Sequence, residues 1–355
     1  MNQPCGVIGV MSGTSLDGLD IAYCQFNRKD SRWQYRIVHA ETIPYTPAWK
    51  KRLAGVEGLR AIELALTDAD YGHFIGVQVK SFIKRYKIRP DLIASHGHTI
   101  FHRPQVAMSL QIGHGAAIAA ETGLDVVCDF RTSDVALGGQ GAPLVPVGDK
   151  LLFGQFNYCL NLGGFANISY ENRGRRIAFD VCPANIVLNR MASRAGMEFD
   201  RGGSLAARGN LNRALLRDLD RLPYYSAPPP KSLGKEWVLS EFLPLLNSCR
   251  MPVRDKLHTL SHHIAGQIAT GCGGRRKGTI LVTGGGAYNH FLVDLIRMKT
   301  HHDVIIPDDP TISFKEALIF AFLGMLRISG EPNALRSVTG ARRDSSGGAI
   351  YAGTP

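Results

Sequence analysis

The chain contains no C-x-x-C pair, and its seven cysteines (Cys5, Cys24, Cys128, Cys159, Cys182, Cys249, Cys272) are odd in number and scattered. That pattern gives neither a disulfide framework nor a zinc knuckle. There is no G-x-x-x-x-G-K-[ST] and no G-x-G-x-x-G, so the P-loop and dinucleotide fingerprints have no support. Ser232-x-x-Lys235 matches one element of penicillin-binding proteins, but the companion Ser-Asp-Asn and Lys-Thr-Gly are missing. The longest apolar stretch, residues 317–325, falls well short of the ~20 residues of a membrane span. A basic segment followed by an apolar run is lacking at the amino terminus, and Asp17 comes early, so no signal peptide is expected. These absences lead us to expect a soluble, reduced, cytoplasmic protein.

What is present is a surplus of glycine and of positive charge. The 39 glycines in 355 residues exceed the usual ~7% share and follow no collagen-like period. Lys+Arg number 41 against 30 Asp+Glu, a net charge of +11. The cations occur in small groups (residues 84–85, 173–176, 275–277, 342–343) without any zinc-finger, basic-zipper or RNP motif. The charge therefore suits a small anionic ligand, and no nucleic acid or membrane partner is expected. The length predicts about two domains.

Residues 7–11 form a short apolar run, 12–18 a polar Gly-rich turn, and 19–26 a second apolar run, which reads as strand, turn, strand. Residues 35–43 add a strand, and Ile75, Val79, Phe82, Ile83 and Tyr86 recur at helical spacing. Residues 92–94 predict a buried strand leading into Ser95-His96-Gly97-His98; 126–128 lead similarly into Asp129-Phe130-Arg131, and 138–143 form a loop. The second half restarts: strand 158–162, Gly163-Gly164, strand 165–170, then a strand over 176–179 ending at Asp180. Helical stripes follow, then a strand over 279–282 that ends in Gly284-Gly285-Gly286. A last helix carries Phe314, Leu318, Ala321, Phe322 and Met325. Residues 224–231, with three consecutive prolines, read as an extended surface loop.

Gly-rich turns let backbone N–H groups approach an anion, because no Cβ intervenes. Thr14 and Ser15 add hydroxyl donors, and Asp17 could hold a hydrated Mg²⁺. Two strand–Gly–strand units half a chain apart, plus the triple-Gly turn, describe a nucleotide site built without a P-loop. A rival comes from another class: His96-x-His98, with His102 and His114 nearby, has the ligand spacing of a metal-dependent hydrolase.

The motif Gly9-Val10-Met11-Ser12-Gly13-Thr14-Ser15-Leu16-Asp17-Gly18-Leu19-Asp20 resembles the signature of the anhydro-N-acetylmuramic acid kinases. The likeness continues through residues 95–104, 129–131, 138–146, 161–169, 229–232 and 337–341, almost the whole chain. It implies an α/β, two-domain, actin-like (ribonuclease-H-like) sugar-kinase fold with an interdomain ATP cleft. Residues 1–131 plus 337–355 would form one domain and 132–336 the other. The implied reaction is ATP-dependent: the 1,6-anhydro ring of anhydro-N-acetylmuramic acid opens hydrolytically while O6 is phosphorylated, giving N-acetylmuramic acid 6-phosphate for cell-wall recycling. ATP and Mg²⁺ are the implied cofactors, and a homodimer the implied assembly.

Carried over residue by residue, Gly13, Thr14, Ser15, Leu16, Asp17, Gly18, Leu19 and Asp20 would hold the ATP phosphates. Gly163, Gly164, Gly284, Gly285 and Gly286 complete the nucleotide set, with Asp17 toward Mg²⁺. Asp180 falls on the catalytic aspartate, and its bland alternative is a cap for a helix over residues 184–192. His96, His98, Arg131 and Glu316 would face the sugar, with Arg131 the clamp for the lactyl carboxylate. The chain departs from the family pattern at His98 (commonly Gln), His114 (commonly Asp) and Val181-Cys182 (often Thr-Gly). A kinase for a plain anhydrosugar such as levoglucosan therefore stays open as an alternative, and so does a catalytically silent binding member, against which Asp17 and Asp180 stand.

Overall fold

The computed structural model describes residues 4–13, 16–30, 32–273 and 276–354. Its contacts group into two units: unit 1 holds Met1–Leu152 and Phe314–Pro355, and unit 2 holds Phe153–Ser313. The junctions expected at 131/132 and 336/337 thus both lie inside unit 1. At the second crossing the Asp309–Ile328 helix is interrupted, with Phe314 at φ −118°, ψ 18°.

Unit 1 is built on β1 (Cys5–Ser12), β2 (Gly18–Lys29), β3 (Arg32–Pro44), β4 (Leu92–Arg103), β5 (Met108–Ile112) and β6 (Val126–Cys128). Unit 2 carries β7 (Tyr158–Leu162), β8 (Phe165–Asn172), β9 (Arg175–Pro183), β10 (Thr279–Thr283) and β11 (Asp303–Ile305), and unit 1 ends with β12 (Ala349–Tyr351). Among the described residues the first sheet runs β12-β6-β4-β1-β2-β3, with β5 on β4, and the second runs β11-β10-β7-β8-β9. In each, an antiparallel three-strand meander is followed by parallel strands added beside its first strand. Finding the same order twice is the duplication that the repeated strand–Gly–strand pattern predicted, and it is the actin-like arrangement.

Each unit has its own core. Ile8, Val10, Leu19, Ile21, Ile75, Val79, Phe82 and Ile93 cluster in unit 1, where the Ala61–Tyr86 helix lays its apolar stripe on the sheet. Leu160, Ile168, Leu257, Leu260, Ile264, Ile268, Ile280 and Val282 do so in unit 2. One glycine matters for position here. A Cβ on Gly9 would collide with the backbone carbonyl of Ala317, so β1 and the Asp309–Ile328 helix touch closely, which sets the neighbouring Glu316 near β1.

Several strands differ from expectation: β5, β11 and β12 are not foreseen in the sequence, and β4 and β9 run longer. β4 does not stop at residue 94 but continues through His96 and His98, because its polar groups are satisfied in the ladder: His98 pairs with Ser12 on one side and Ile112 on the other. Gly97, at φ +71°, absorbs the irregularity. β9 likewise runs past Asp180 to Pro183, with Asp180 opposite Asn167. Finally, β12 pairs antiparallel with β6, and at three residues it is too short to show an alternation in the sequence. No helix among the described residues is long and apolar enough to cross a membrane.

Candidate functional site

In unit 1 the turn between β1 and β2 closes from the register pair Ser12–Leu19. Thr14 and Ser15 lie outside the described residues. Gly13 and Leu16 form a tight turn, with the Leu16 N–H donating to the Gly13 carbonyl at 3.3 Å and Leu16 left-handed at φ +59°. β2 begins at Gly18, so Gly18, Leu19 and Asp20 belong to the ladder rather than to the turn, and the Leu19 side chain is in the core. Gly13, Leu16 and exposed Asp17 lie at the tip, and Gly18, Leu19 and Asp20 open β2 directly beside it. Asp20 accepts a 2.5 Å bond from the Thr42 hydroxyl. Burial raises its carboxyl pKa, and the Asp17 charge adds to the rise. Asp17, exposed at the tip of the turn, is a carboxylate that a hydrated divalent cation could reach.

Behind the turn lies a buried polar chain. The Ser12 hydroxyl sits 2.9 Å from His98 Nδ1 and accepts from the Tyr45 hydroxyl at 2.7 Å, which is 2.5 Å from the Tyr71 hydroxyl. Sequence reasoning found His98 but missed Tyr45 and Tyr71, which come from separate elements and match no motif.

His96 is fixed from both sides. Its Nδ1 lies 2.9 Å from the Gly97 carbonyl, which can only accept, so Nδ1 carries the proton. Its Nε2 therefore accepts, from Arg131 Nη2 at 2.8 Å and Nε at 3.2 Å. Burial, reinforced by the Arg131 charge, holds this imidazole well below its usual pKa and neutral. With both ring nitrogens engaged, and no cluster of three or more His, Cys, Asp or Glu side chains placed to hold a metal among the described residues, the hydrolase reading falls. His114 is accounted for separately, since its Nδ1 caps the Gly115–Thr122 helix through the Ala116 N–H.

Arg131 Nη1 also donates to the Gly141 carbonyl at 2.7 Å. That carbonyl is held in place by Asp134, a fully buried residue missed at the sequence level. Its two carboxylate oxygens accept from the Gly141 N–H and the Thr339 hydroxyl, both at 2.8 Å. Of the five N–H groups of a guanidinium, three are spent in these bonds, which leaves a hydrogen on each terminal nitrogen for a carboxylate. Burial lowers the Arg131 pKa to about 10, so it remains a cation. Glu316 is open to solvent by surface area, yet the density of protein around its carboxyl raises its pKa. The Asp20 charge adds to the rise, and Lys315 and Arg131 oppose it.

The His96 arrangement has a consequence for stability. Below about pH 6.5 the unfolded chain binds a proton at this imidazole that the folded chain refuses, so stability falls as pH drops, by up to ~1.4 kcal/mol per pH unit. His96→Gln, whose side-chain carbonyl can still accept from Arg131, should flatten that slope. Thermal unfolding of both proteins between pH 8 and 5 measures it, and parallel curves would contradict the assignment.

In unit 2 the Gly163-Gly164 hairpin turn spends its carbonyls on the Asn185–Ser193 helix. Gly164 accepts from the Ala184 and Ile186 N–H groups and Gly163 from that of Asn185. Those first helical N–H groups are therefore not available to an anion. Gly284, at φ +81°, has room for no side chain: a Cβ would strike Asn161 Oδ1 and lie 3.0 Å from the Leu162 carbonyl. Beside Gly285 and Gly286 opens a cavity of about 420 Å³, lined also by Asn185, Asn189, Arg201 and Asn289, with exposed Phe199 and Tyr288 among its walls. Its size and mixed lining suit a small organic ligand.

Asp180 sits within β9 and is not a helix cap, so that alternative is overturned; the Asn185–Ser193 helix starts after Ala184. Its Oδ2 accepts from the Leu233 N–H at 2.9 Å, while Oδ1 has no partner among the described residues. Burial raises this carboxyl above the ordinary aspartate value, and the Leu233 N–H partly offsets the rise. The neighbouring Val181 and Cys182 point into the core. A half-buried carboxylate with one anchored oxygen and one uncommitted oxygen is placed to take a proton.

The sequence matches the family model described as anhydro-N-acetylmuramic acid kinase over residues 5–353. A protein of Hydrogenovibrio crunogenus named anhydro-N-acetylmuramic acid kinase is 34% identical over 363 residues, covering 97% of each chain. One of the same name from Gloeobacter violaceus is 35% identical over 372 residues, covering 96% of this chain and 97% of its own. Among solved structures, component A of the (R)-2-hydroxyglutaryl-CoA dehydratase of Acidaminococcus fermentans aligns over 92% of this chain and 99% of its own, at 11% identity and TM-score 0.47. That likeness is too distant to argue from, and the assignment stands on the sequence. A family match over nearly the whole chain, with relatives of 34–35% identity covering 96–97% of it, places the chain in the anhydro-N-acetylmuramic acid kinase family.

Proposed function

We propose that this protein is an ATP-dependent kinase of anhydro-N-acetylmuramic acid, acting in the cytoplasm as a homodimer in cell-wall recycling. The observation that carries the reading is the family match over residues 5–353. Asp180 is the general base. It takes a proton from the water that attacks the anomeric carbon, the C1–O6 bond breaks, and O6 takes the γ-phosphoryl group as ADP leaves. A positioned base contributes about 10²–10⁴ in rate, and phosphoryl transfer rests on orientation and charge neutralisation.

Unit 1 would supply the β1–β2 turn, with Gly13 and Leu16, to the phosphates. Mg²⁺ bound there would neutralise phosphate charge, with Asp17 as its protein carboxylate. Arg131, oriented by His96 and Gly141, would pair with the lactyl carboxylate, and Glu316 and His98 would meet sugar hydroxyls. Unit 2 would supply Asp180, and its cavity beside Gly285 and Gly286 the adenosine site, where the Phe199 and Tyr288 rings suit a purine. The Gly163-Gly164 turn would line the phosphates and hold the Asn185–Ser193 helix beside them.

The test is ADP release from ATP-Mg²⁺ with anhydro-N-acetylmuramic acid or levoglucosan as acceptor. We expect turnover on the order of 10 s⁻¹, typical of enzymes, with the first and little with the second. Release that the muramyl sugar does not accelerate would contradict the reading, and preference for levoglucosan would change the substrate.

A further inference from the structure

Asp180 is held by a segment whose sequence reads as a passive loop. Residues 224–233 leave the short Pro223–Ser226 helix, pass through Pro228, Pro229 and Pro230, and lie along β9, the edge strand of the second sheet. The Asp180 N–H donates to the Lys231 carbonyl at 3.1 Å. The Tyr224 hydroxyl donates to the Asp180 carbonyl at 2.5 Å, and the Leu233 N–H donates to its carboxylate. The segment thus grips the residue at N–H, carbonyl and side chain.

It is itself pinned at two points. The Lys231 ammonium donates to the Tyr224 carbonyl at 3.0 Å and lies 4.6 Å from the Tyr224 ring centroid and 5.8 Å from that of Phe179, a cation–π placement that staples the two ends of the segment together. The Tyr225 hydroxyl bonds His263 Nε2 at 2.9 Å, and His263 Nδ1 bonds Asp220 at 2.6 Å in the floor of unit 2. Proline stiffens the span between these pins by fixing φ.

We propose that residues 224–233 form a strap that positions the Asp180 carboxylate, with Lys231 as its positioning residue; the proposal rests on Asp180 being the general base. Lys231 makes no bond to the carboxylate and acts through the Leu233 N–H and the Tyr224 hydroxyl. Release of the strap lets the carboxylate rotate from the geometry in which Oδ1 meets water, and a misplacement of ~1 Å costs on the order of 10²-fold in rate.

The test compares Lys231→Met, Tyr224→Phe, Asp180→Asn and the Lys231→Met/Asp180→Asn double variant in the full chain, with kcat, KM and ATP affinity for each. We expect Lys231→Met to lower kcat ~10²-fold, Tyr224→Phe to lower it ~10-fold, and both to leave KM and ATP affinity within about twofold. In the Asp180→Asn background Lys231→Met should cost nothing further, because it acts through the missing carboxylate. An equal cost in both backgrounds, or kcat unchanged in Lys231→Met, overturns the strap while leaving Asp180 as base. An active Asp180→Asn overturns the base itself. Should Lys231→Met fail to fold, Tyr224→Phe alone decides: kcat within twofold of the native protein overturns the proposal.

Discussion

Asp180→Asn should lose turnover by 10²–10⁴-fold while binding ATP with near-native affinity. The amide is nearly isosteric and still accepts from the Leu233 N–H, so the strand and the strap keep their geometry. What disappears is the capacity to take a proton, and a positioned general base is worth about that range. The environment of the native carboxyl sharpens the expectation. Burial raises its pKa, so the acid limb of kcat/KM should lie above the ~3.9 of an ordinary aspartate. Activity is present above that limb and lost as pH falls through it. Stopped assays from pH 4 to 8, with ATP affinity measured calorimetrically, check both statements. An Asp180→Asn protein with more than a tenth of native turnover would remove the base from the mechanism.

Arg131→Ala should raise KM for the muramyl substrate by roughly 10- to 100-fold, the span expected for losing a hydrogen-bonded pair with a charged group of ~1.5–3 kcal/mol. Turnover of an anhydrosugar without the carboxylate should change far less. Arg131→Lys separates charge from shape: an ammonium retains the charge but cannot present a planar fork, nor reach His96 Nε2 and the Gly141 carbonyl together. It should recover only part of the loss. Equal effects on both sugars would mean that Arg131 serves the His96 and Gly141 scaffold alone.

The sequence carried the duplicated sheets because each unit opens with two apolar runs around a polar Gly turn, a local signal that needs no tertiary information. It carried the ends of β4 and β9 poorly. His96, His98 and Asp180 are polar residues whose bonds come from Arg131, Ser12 and Leu233, between 35 and 86 positions away along the chain. Such partners exist only after folding, so a window of sequence sees a turn where the molecule has a strand. The same reason hid Asp134, whose carboxylate bonds Gly141 nearby and Thr339 across 205 positions. It hid Tyr45 and Tyr71 as well. Arg131 was legible, through the resemblance, as a planar fork for the lactyl carboxylate, but its orientation by a neutral His96 was not. Residues 224–231 were legible as extended, and their grip on Asp180 was not, because proline content reports stiffness and says nothing of contact.

The mass of the product formed from anhydro-N-acetylmuramic acid and ATP-Mg²⁺ tests the central claim most directly. Coupled ring opening and phosphorylation add one water and one phosphoryl group to the sugar. A product heavier by a phosphoryl group alone, with the anhydro bridge intact, would contradict it and leave Asp180 with no water to activate.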